Sequence, residues 1–209
     1  MRRCLDAACT GAPFAEMRVR FDVLAAPATA VGTRSRELIA LAPFTPPARE
    51  VYQHGVQVVT THALSRGDPL SKTADFVERR RRIEHETPGA YERLIVDAGG
   101  AILEGFSSNF YAVCGGVLVT AGEGVLEGIT RRIVLDLATA RGVPVALRPP
   151  RVDELHSAQE AAISSSSRGL VPVVGIDGRP VGEGVPGPVI TGLSEAYEAY
   201  VEAAVKRAV

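Results

Sequence analysis

Residues 101–113, AILEGFSSNFYAV, and residues 124–142, GVLEGITRRIVLDLATARG, decide the fold. In the first stretch a β pattern is interrupted by a polar knot. Ala101 to Leu103 follows the turn Asp97-Ala98-Gly99-Gly100, which folds it back on Arg93 to Val96 as a hairpin. Asn109 to Val113 then pairs naturally with Val117 to Thr120 across Cys114-Gly115-Gly116. In the second stretch the period becomes helical. Ile129, Ile133, Val134, Leu137 and Ala138 make one apolar stripe, opened by Gly128 and ended by Gly142. The reading is a mixed α/β fold with strands dominating the middle.

Upstream, Met17 to Leu24 alternates, with Val19, Phe21 and Val23 on one face, and Glu37 to Leu41 is a second short run. The proline-rich APFTPPARE reads as a linker or domain crossing, and Gly55 to Thr61 as a buried strand. After the loop SRGDPLS, Lys72 opens a polar helix to about Glu86. Its run Arg79 to Arg82, between Glu78 and Glu84, reads as a solvated face with local ion pairs. Downstream come a strand at Val143 to Leu147, a short helix around Asp153 to Ser157, and strands at Ala161 to Ile163 and Leu170 to Ile176. A last helix, capped by Thr191, carries the stripe Leu193, Ala196, Tyr197, Tyr200, Val201, Ala204 and Val205.

Composition sets the outer bounds. The 209 residues are 46% hydrophobic and 22% charged, enough for one large domain or two small ones around a sizeable core. A net charge of -1, from 23 basic and 24 acidic residues, gives no global field to hold nucleic acid or an anionic membrane. No apolar run approaches the roughly 18–20 residues that span a bilayer, and MRRCLDAACTGAPF lacks an apolar signal core. Cys4, Cys9 and Cys114 are too few and too scattered for a disulfide framework or a zinc site, so no metal is predicted. These bounds predict a soluble, cytoplasmic protein and leave enzyme and binding protein equally open.

Only Lys72 and Lys206 among the basic residues are lysine. Arginine stays protonated and cannot act as an amine nucleophile, so each lysine is a candidate for such a role. Lys206 suits the C-terminal dipole of the last helix. Lys72 has no such structural use, although a lone lysine is ordinarily a solvated surface group. Three polar constellations fall at element ends. Glu104, closing an apolar strand, needs a cationic or hydrogen-bonded partner, whether its role is structural or chemical. Gly128-Ile129-Thr130 opens a helix, a place suited to an anion and equally to simple capping. Ser164 to Ser167, followed by Arg168, can wrap a phosphate or carboxylate, or form a plain serine turn.

In this order the pieces resemble the class IV pyridoxal-phosphate enzymes, the family of branched-chain and D-amino-acid transaminases and aminodeoxychorismate lyase. The resemblance rests on Lys72 in SKTADF, Glu104 in ILEGFSSNFYAV, Gly128-Ile129-Thr130, ISSSSRGLVPVVGIDG ending at Gly178, and GPVITGL from Gly187 to Leu193. It implies the D-amino-acid aminotransferase-like fold (fold type IV), a pseudo-barrel of strands flanked by helices. Residues 49–209 would be the cofactor-binding large domain, and residues 1–48 a remnant of the N-terminal small α/β domain with its linker. The implied cofactor is pyridoxal 5'-phosphate. Lys72 would meet its aldehyde and shuttle the proton at substrate Cα. Glu104 would keep the pyridine nitrogen protonated, with Ser108 and Asn109 in the same cofactor-binding set. Ile129, Thr130 and Ser166 would hold the phosphate, with Gly128 opening that helix. Ser165 would lie beside the phosphate, and it and Ser167 could meet the substrate carboxylate. The implied reaction is ping-pong amino transfer between an amino acid and a 2-keto acid, by a homodimer.

Departures from the family pattern keep other readings open. The family's glycine-rich early strand and its phosphate-binding arginine have no counterpart, so the chain reads as a truncated gene product or a reduced relative. Phe76 and Val77 stand where some members have a tyrosine. Arg168, unusual within the serine run, either replaces an anion contact at the substrate or points to solvent. The alternatives are the lyase, which releases pyruvate, and a non-catalytic relative that keeps the fold.

Overall fold

The computed structural model describes residues 2–14, 16–65, 73–86 and 89–208. The chain divides into two compact units, Met1–Pro47 and Ala48–Val209. In the first, helix α1 (Arg2–Thr10) precedes the antiparallel pair β1 (Met17–Val23) and β2 (Glu37–Pro43), in register from Met17 opposite Pro43 to Val23 opposite Glu37. The alternation in β1 is present, but Val19, Phe21 and Val23 are exposed.

The second unit opens with helix α2 (Arg49–His54), whose first two residues end the stretch read from sequence as linker, and strand β3 (Val56–Thr61). Helix α3 (Ala74–Glu86) follows. It begins after Thr73, whose Oγ1 accepts the Phe76 N–H at 3.4 Å and so caps the first turn. Strands β4 (Arg93–Val96), β5 (Ile102–Gly105), β6 (Asn109–Cys114) and β7 (Val117–Thr120) come next. They are joined by the predicted hairpin turns, where Gly115 and Gly116 take positive φ of 58° and 78°. Helix α4 (Ile129–Ala140) leads to β8 (Val145–Leu147), a 3₁₀ turn (Val152–Ser157), β9 (Glu160–Ser165), β10 (Gly169–Ile176), β11 (Arg179–Pro180) and helix α5 (Pro188–Ala208).

Six strands close a ring. β10 pairs β3, β3 pairs β4, then β5, β6 and β9 follow, and β9 pairs β10 again. Alternate residues of all six enter one cluster: Val56 and Val58, Leu94 and Val96, Ile102, Phe110 and Ala112, Ala161 and Ile163, Val171 and Val173. Such a shared face is the interior of a barrel. The opposite face carries Tyr111, Ala162 and Leu170, covered by Val134 and Ala138 of α4 and Ile190 and Leu193 of α5. On another side Ile95 and Phe106 pack with Phe76 of α3. Each large apolar side chain so buried contributes about 1.5–3 kcal/mol.

Three helix readings need correction. Ile129 is 70% exposed, because each four-residue step back from Leu137 drifts about 40° around the axis. The buried face of α4 is Thr130, Arg131, Val134 and Ala138. Helix α5 starts at Pro188, three residues before the predicted cap Thr191. Proline suits a first helical position, and the buried Glu160 carboxylate caps the end by accepting the N–H groups of Val189 (3.0 Å) and Ile190 (2.7 Å). The stripe of α5 is buried only in its first half. A 21-residue helix is about 30 Å long and outruns the strands it covers, leaving Tyr200, Val201 and Val205 exposed.

Candidate functional site

A β-bulge aims the central carboxylate. Ile95 lies opposite Glu104 and Val96 opposite Ile102, one step on β4 against two on β5. Leu103 is the extra residue. In a regular strand Ile102 and Glu104, two residues apart, would share a face. The bulge at Leu103 lets Ile102 enter the barrel interior while Glu104 takes the outer side with Ile95. Glu104 then stands opposite Asn109, and Asn109 opposite Ser164, on that same outer side.

From there hydrogen bonds tie the strand ends to α4. Glu104, 2% exposed, accepts the Leu126 N–H at Oε2, 3.0 Å away. Asn109 Nδ2 donates to the Leu126 carbonyl at 2.8 Å. A Cβ on Gly128 would approach Asn109 Oδ1 to 2.6 Å, so a side chain here would displace the Asn109 amide. Gly128 gives α4 no side-chain cap, which leaves the first backbone N–H groups available to an anion. Thr130 is buried, with its Oγ1 3.3 Å from the Tyr197 hydroxyl. The Tyr197 ring also lies against Gly169, opposite Ser165 across the β9–β10 turn. Below, Tyr111 bonds Ser164 Oγ at 2.8 Å, and burial pushes its hydroxyl far above the ordinary tyrosine range.

The structure therefore brings together Glu104, Asn109, Gly128, Ile129 and Thr130 and connects them through Tyr197 to the serine turn. Ser166 is exposed there, while Ser165 and Ser167 are half-buried, 3.5 Å apart at Oγ. Lys72 lies outside the described residues.

A second cluster was invisible in the sequence. Glu92, 4% exposed, accepts Ser107 Oγ (2.7 Å), Ser108 Oγ (3.0 Å) and Arg168 Nη2 (2.8 Å) on Oε2, and the Arg93 N–H on Oε1. Arg168 thus does not point to solvent. Its guanidinium is committed to an internal carboxylate, and also lies 5.5 Å from the Tyr91 ring centre. Ser108 likewise faces Glu92, and a Cβ on Gly105 would run into its Oγ. Arg80, within the run read as solvated, is mostly buried, donating to the Phe106 carbonyl at 3.3 Å and ion-paired with Glu84 at 3.5 Å.

Burial opposes ionisation of Glu92, but Arg168, Ser107 and the Arg93 N–H outweigh it and hold the carboxyl below the usual glutamate range. Its charged form therefore stabilises the fold fully above the ordinary value of 4.5. That contribution is lost as pH falls through the lowered value. Glu92→Gln should flatten the acid side of the stability profile, measured by urea unfolding from about pH 6 down to about pH 3; an unchanged slope would exclude Glu92 as its source.

The cavity of about 360 Å3 beside this cluster meets Tyr91, Glu92 and Ser107. A larger one, about 790 Å3, runs along β3 past Thr60 and Arg93, away from the loops carrying Glu104, Gly128 and Ser165. Among the described residues no group of His, Cys, Asp or Glu is placed to hold a metal ion, and no helix is long and apolar enough to cross a membrane.

A closed strand barrel bearing a carboxylate at one strand end, a Gly-Ile-Thr helix start and a serine turn defines a class IV aminotransferase fold. Residues 2–176 match the family described as amino-transferase class IV, and the chain belongs to that family. The D-alanine aminotransferase of Staphylococcus aureus (strain MSSA476) is 38% identical over 106 residues, 50% of this chain and 38% of that protein. A probable branched-chain-amino-acid aminotransferase of Thermotoga maritima is 36% identical over 134 residues, 63% of this chain and 48% of its own length. The match thus spans about half, or less, of these curated relatives. Among solved structures, a Thermotoga maritima protein provisionally described as a branched-chain amino acid aminotransferase has a TM-score of 0.76 at 28% identity, over 95% of this chain and 70% of that one. The branched-chain amino acid aminotransferase of Escherichia coli gives 0.69 at 26% identity, over 78% and 57%. Another branched-chain amino acid aminotransferase, solved with pyridoxamine 5'-phosphate, gives 0.71 at 28% identity, over 77% and 55%.

Proposed function

We propose that this chain is the cofactor-binding part of a pyridoxal 5'-phosphate-dependent transaminase, exchanging an amino group between an amino acid and a 2-keto acid in a ping-pong cycle. The observation that carries this is the convergence on Asn109 of a buried carboxylate, Glu104, and a helix start without a side-chain cap. That donor set fits the cofactor at both ends: a carboxylate for a ring nitrogen, and N–H groups and hydroxyls for a phosphate. When bound, pyridoxal phosphate supplies an aldehyde for an amine and a ring that accepts the electron pair released at substrate Cα.

The chain's own residues do the rest. Glu104 keeps a proton on the ring nitrogen, and the Leu126 N–H fixes the direction of its carboxylate. Ile129 and Thr130, by main-chain N–H and hydroxyl, grip the phosphate from α4, and Ser165 and Ser166 from the serine turn. Asn109 and Gly128 shape the cradle between Glu104 and α4. Ser108 acts from behind, through Glu92, and Ser167 remains the candidate for the substrate carboxylate. Lys72 is the amine that anchors the cofactor and moves the proton at substrate Cα, a role resting on the SKTADF resemblance. In this reading residues 1–48 are the end of the family's small domain, and the working assembly is a cytoplasmic homodimer.

Borohydride reduction of the holoprotein followed by peptide mapping tests the assignment. The expected pyridoxyl label is on Lys72. Label on Lys206, or none, would overturn it. Amino transfer from a panel of L- and D-amino acids to 2-keto acids then tests the reaction itself.

A further inference from the structure

We propose that Arg168 is a positioning residue for the phosphate end of the site: it locks the serine turn to Glu92 and fills one lone pair of Ser165, so that the Ser165 hydroxyl proton is directed to the bound anion. The inference rests on the cofactor reading above and adds a residue that the resemblance leaves without a role.

The geometry is a fork. Arg168 Nε donates to Ser165 Oγ at 3.1 Å, while Nη2 donates to Glu92 Oε2 at 2.8 Å and to Ser107 Oγ at 2.8 Å. The Arg168 backbone is held as well: its N–H donates to the Ser165 carbonyl at 3.2 Å, and its carbonyl accepts the Tyr52 hydroxyl at 2.7 Å. The side chain is 16% exposed and Glu92 3%, so neither wanders.

A serine hydroxyl has one proton and two lone pairs. With a guanidinium N–H on one lone pair, Ser165 turns its proton away from Arg168, and the nearby charge makes that O–H a stronger donor. Among the described residues its other partner is Ser167 Oγ, at 3.5 Å the limit of hydrogen-bond reach. An anion held between this turn and the α4 start is the better acceptor. The two sides already share Tyr197, which touches Gly169 with its ring and Thr130 with its hydroxyl. Glu92 neutralises Arg168 from behind, so the arginine orients the donor without itself being drawn into the site.

The test is a double-mutant cycle on cofactor affinity, read from the absorbance change as pyridoxal 5'-phosphate is titrated into apoprotein. Ser165→Ala should weaken binding about tenfold, the loss of one hydrogen bond to a charged group. Arg168→Gln should weaken it by a similar factor, and the double variant should bind no worse than the weaker single. Arg168→Lys should not rescue, because an ammonium cannot reach both Ser165 and Glu92 as a planar fork does. It also closes the cycle if the glutamine variant fails to fold, which thermal melting reports. Losses that multiply in the double variant, or wild-type affinity in Arg168→Lys, would overturn the proposal. A wild-type protein that takes up no cofactor would instead bring down the parent reading and this one with it.

Discussion

Replacing Glu104 with glutamine should slow amino transfer about a hundredfold or more, the scale on which a misplaced proton acts, with little change in folding. The amide oxygen can still accept the Leu126 N–H, and the side chain keeps its volume in a site that is 2% exposed. Only the charge goes. An amide can hydrogen-bond to a ring nitrogen but cannot hold a proton there, so the ring becomes a poorer acceptor for the electron pair at Cα. Cofactor content, measured by absorbance, should persist because the phosphate grip lies elsewhere. A glutamine variant within about threefold of wild-type rate would remove Glu104 from the chemistry.

Arg168→Ala should be the most damaging change to stability, by about 3 kcal/mol or more in urea unfolding. It leaves Glu92 inside the protein with, among the described residues, two serine hydroxyls and one backbone N–H but no cation. Adding Glu92→Gln should recover part of the loss, since the stranded charge is then gone. The two changes are coupled through one ion pair, so additive losses would show that the contact does not stabilise the fold.

What the sequence made legible was local. Gly115-Gly116 and Asp97 to Gly100 announced their hairpins, and Gly128 and Gly142 bracketed α4, because turns and helix ends depend on neighbours in the chain. The Glu104, Thr130 and serine-turn loops could likewise be found, since each interrupts a clear periodic pattern. Interactions set by closure of the barrel could not. Glu92 and Arg168 are 76 residues apart and meet only when the turn between β9 and β10 packs over β4 and the loop after β5. The carboxylate that caps α5 comes from β9, so a local reading reached for Thr191 although Pro188 was the available signal. Ile129 shows the limit of periodicity itself: it fits the spacing of a buried stripe, yet the first residue of α4 stands clear of the core.

Leu103 makes strand parity an unreliable guide to this protein. Re-paired in regular alternation, as an ideal scaffold would force on it, β5 would keep every letter of the acidic motif and still turn its acid into the oily lumen. The irregular step in that strand is therefore as much a part of the chemistry as the glutamate it carries.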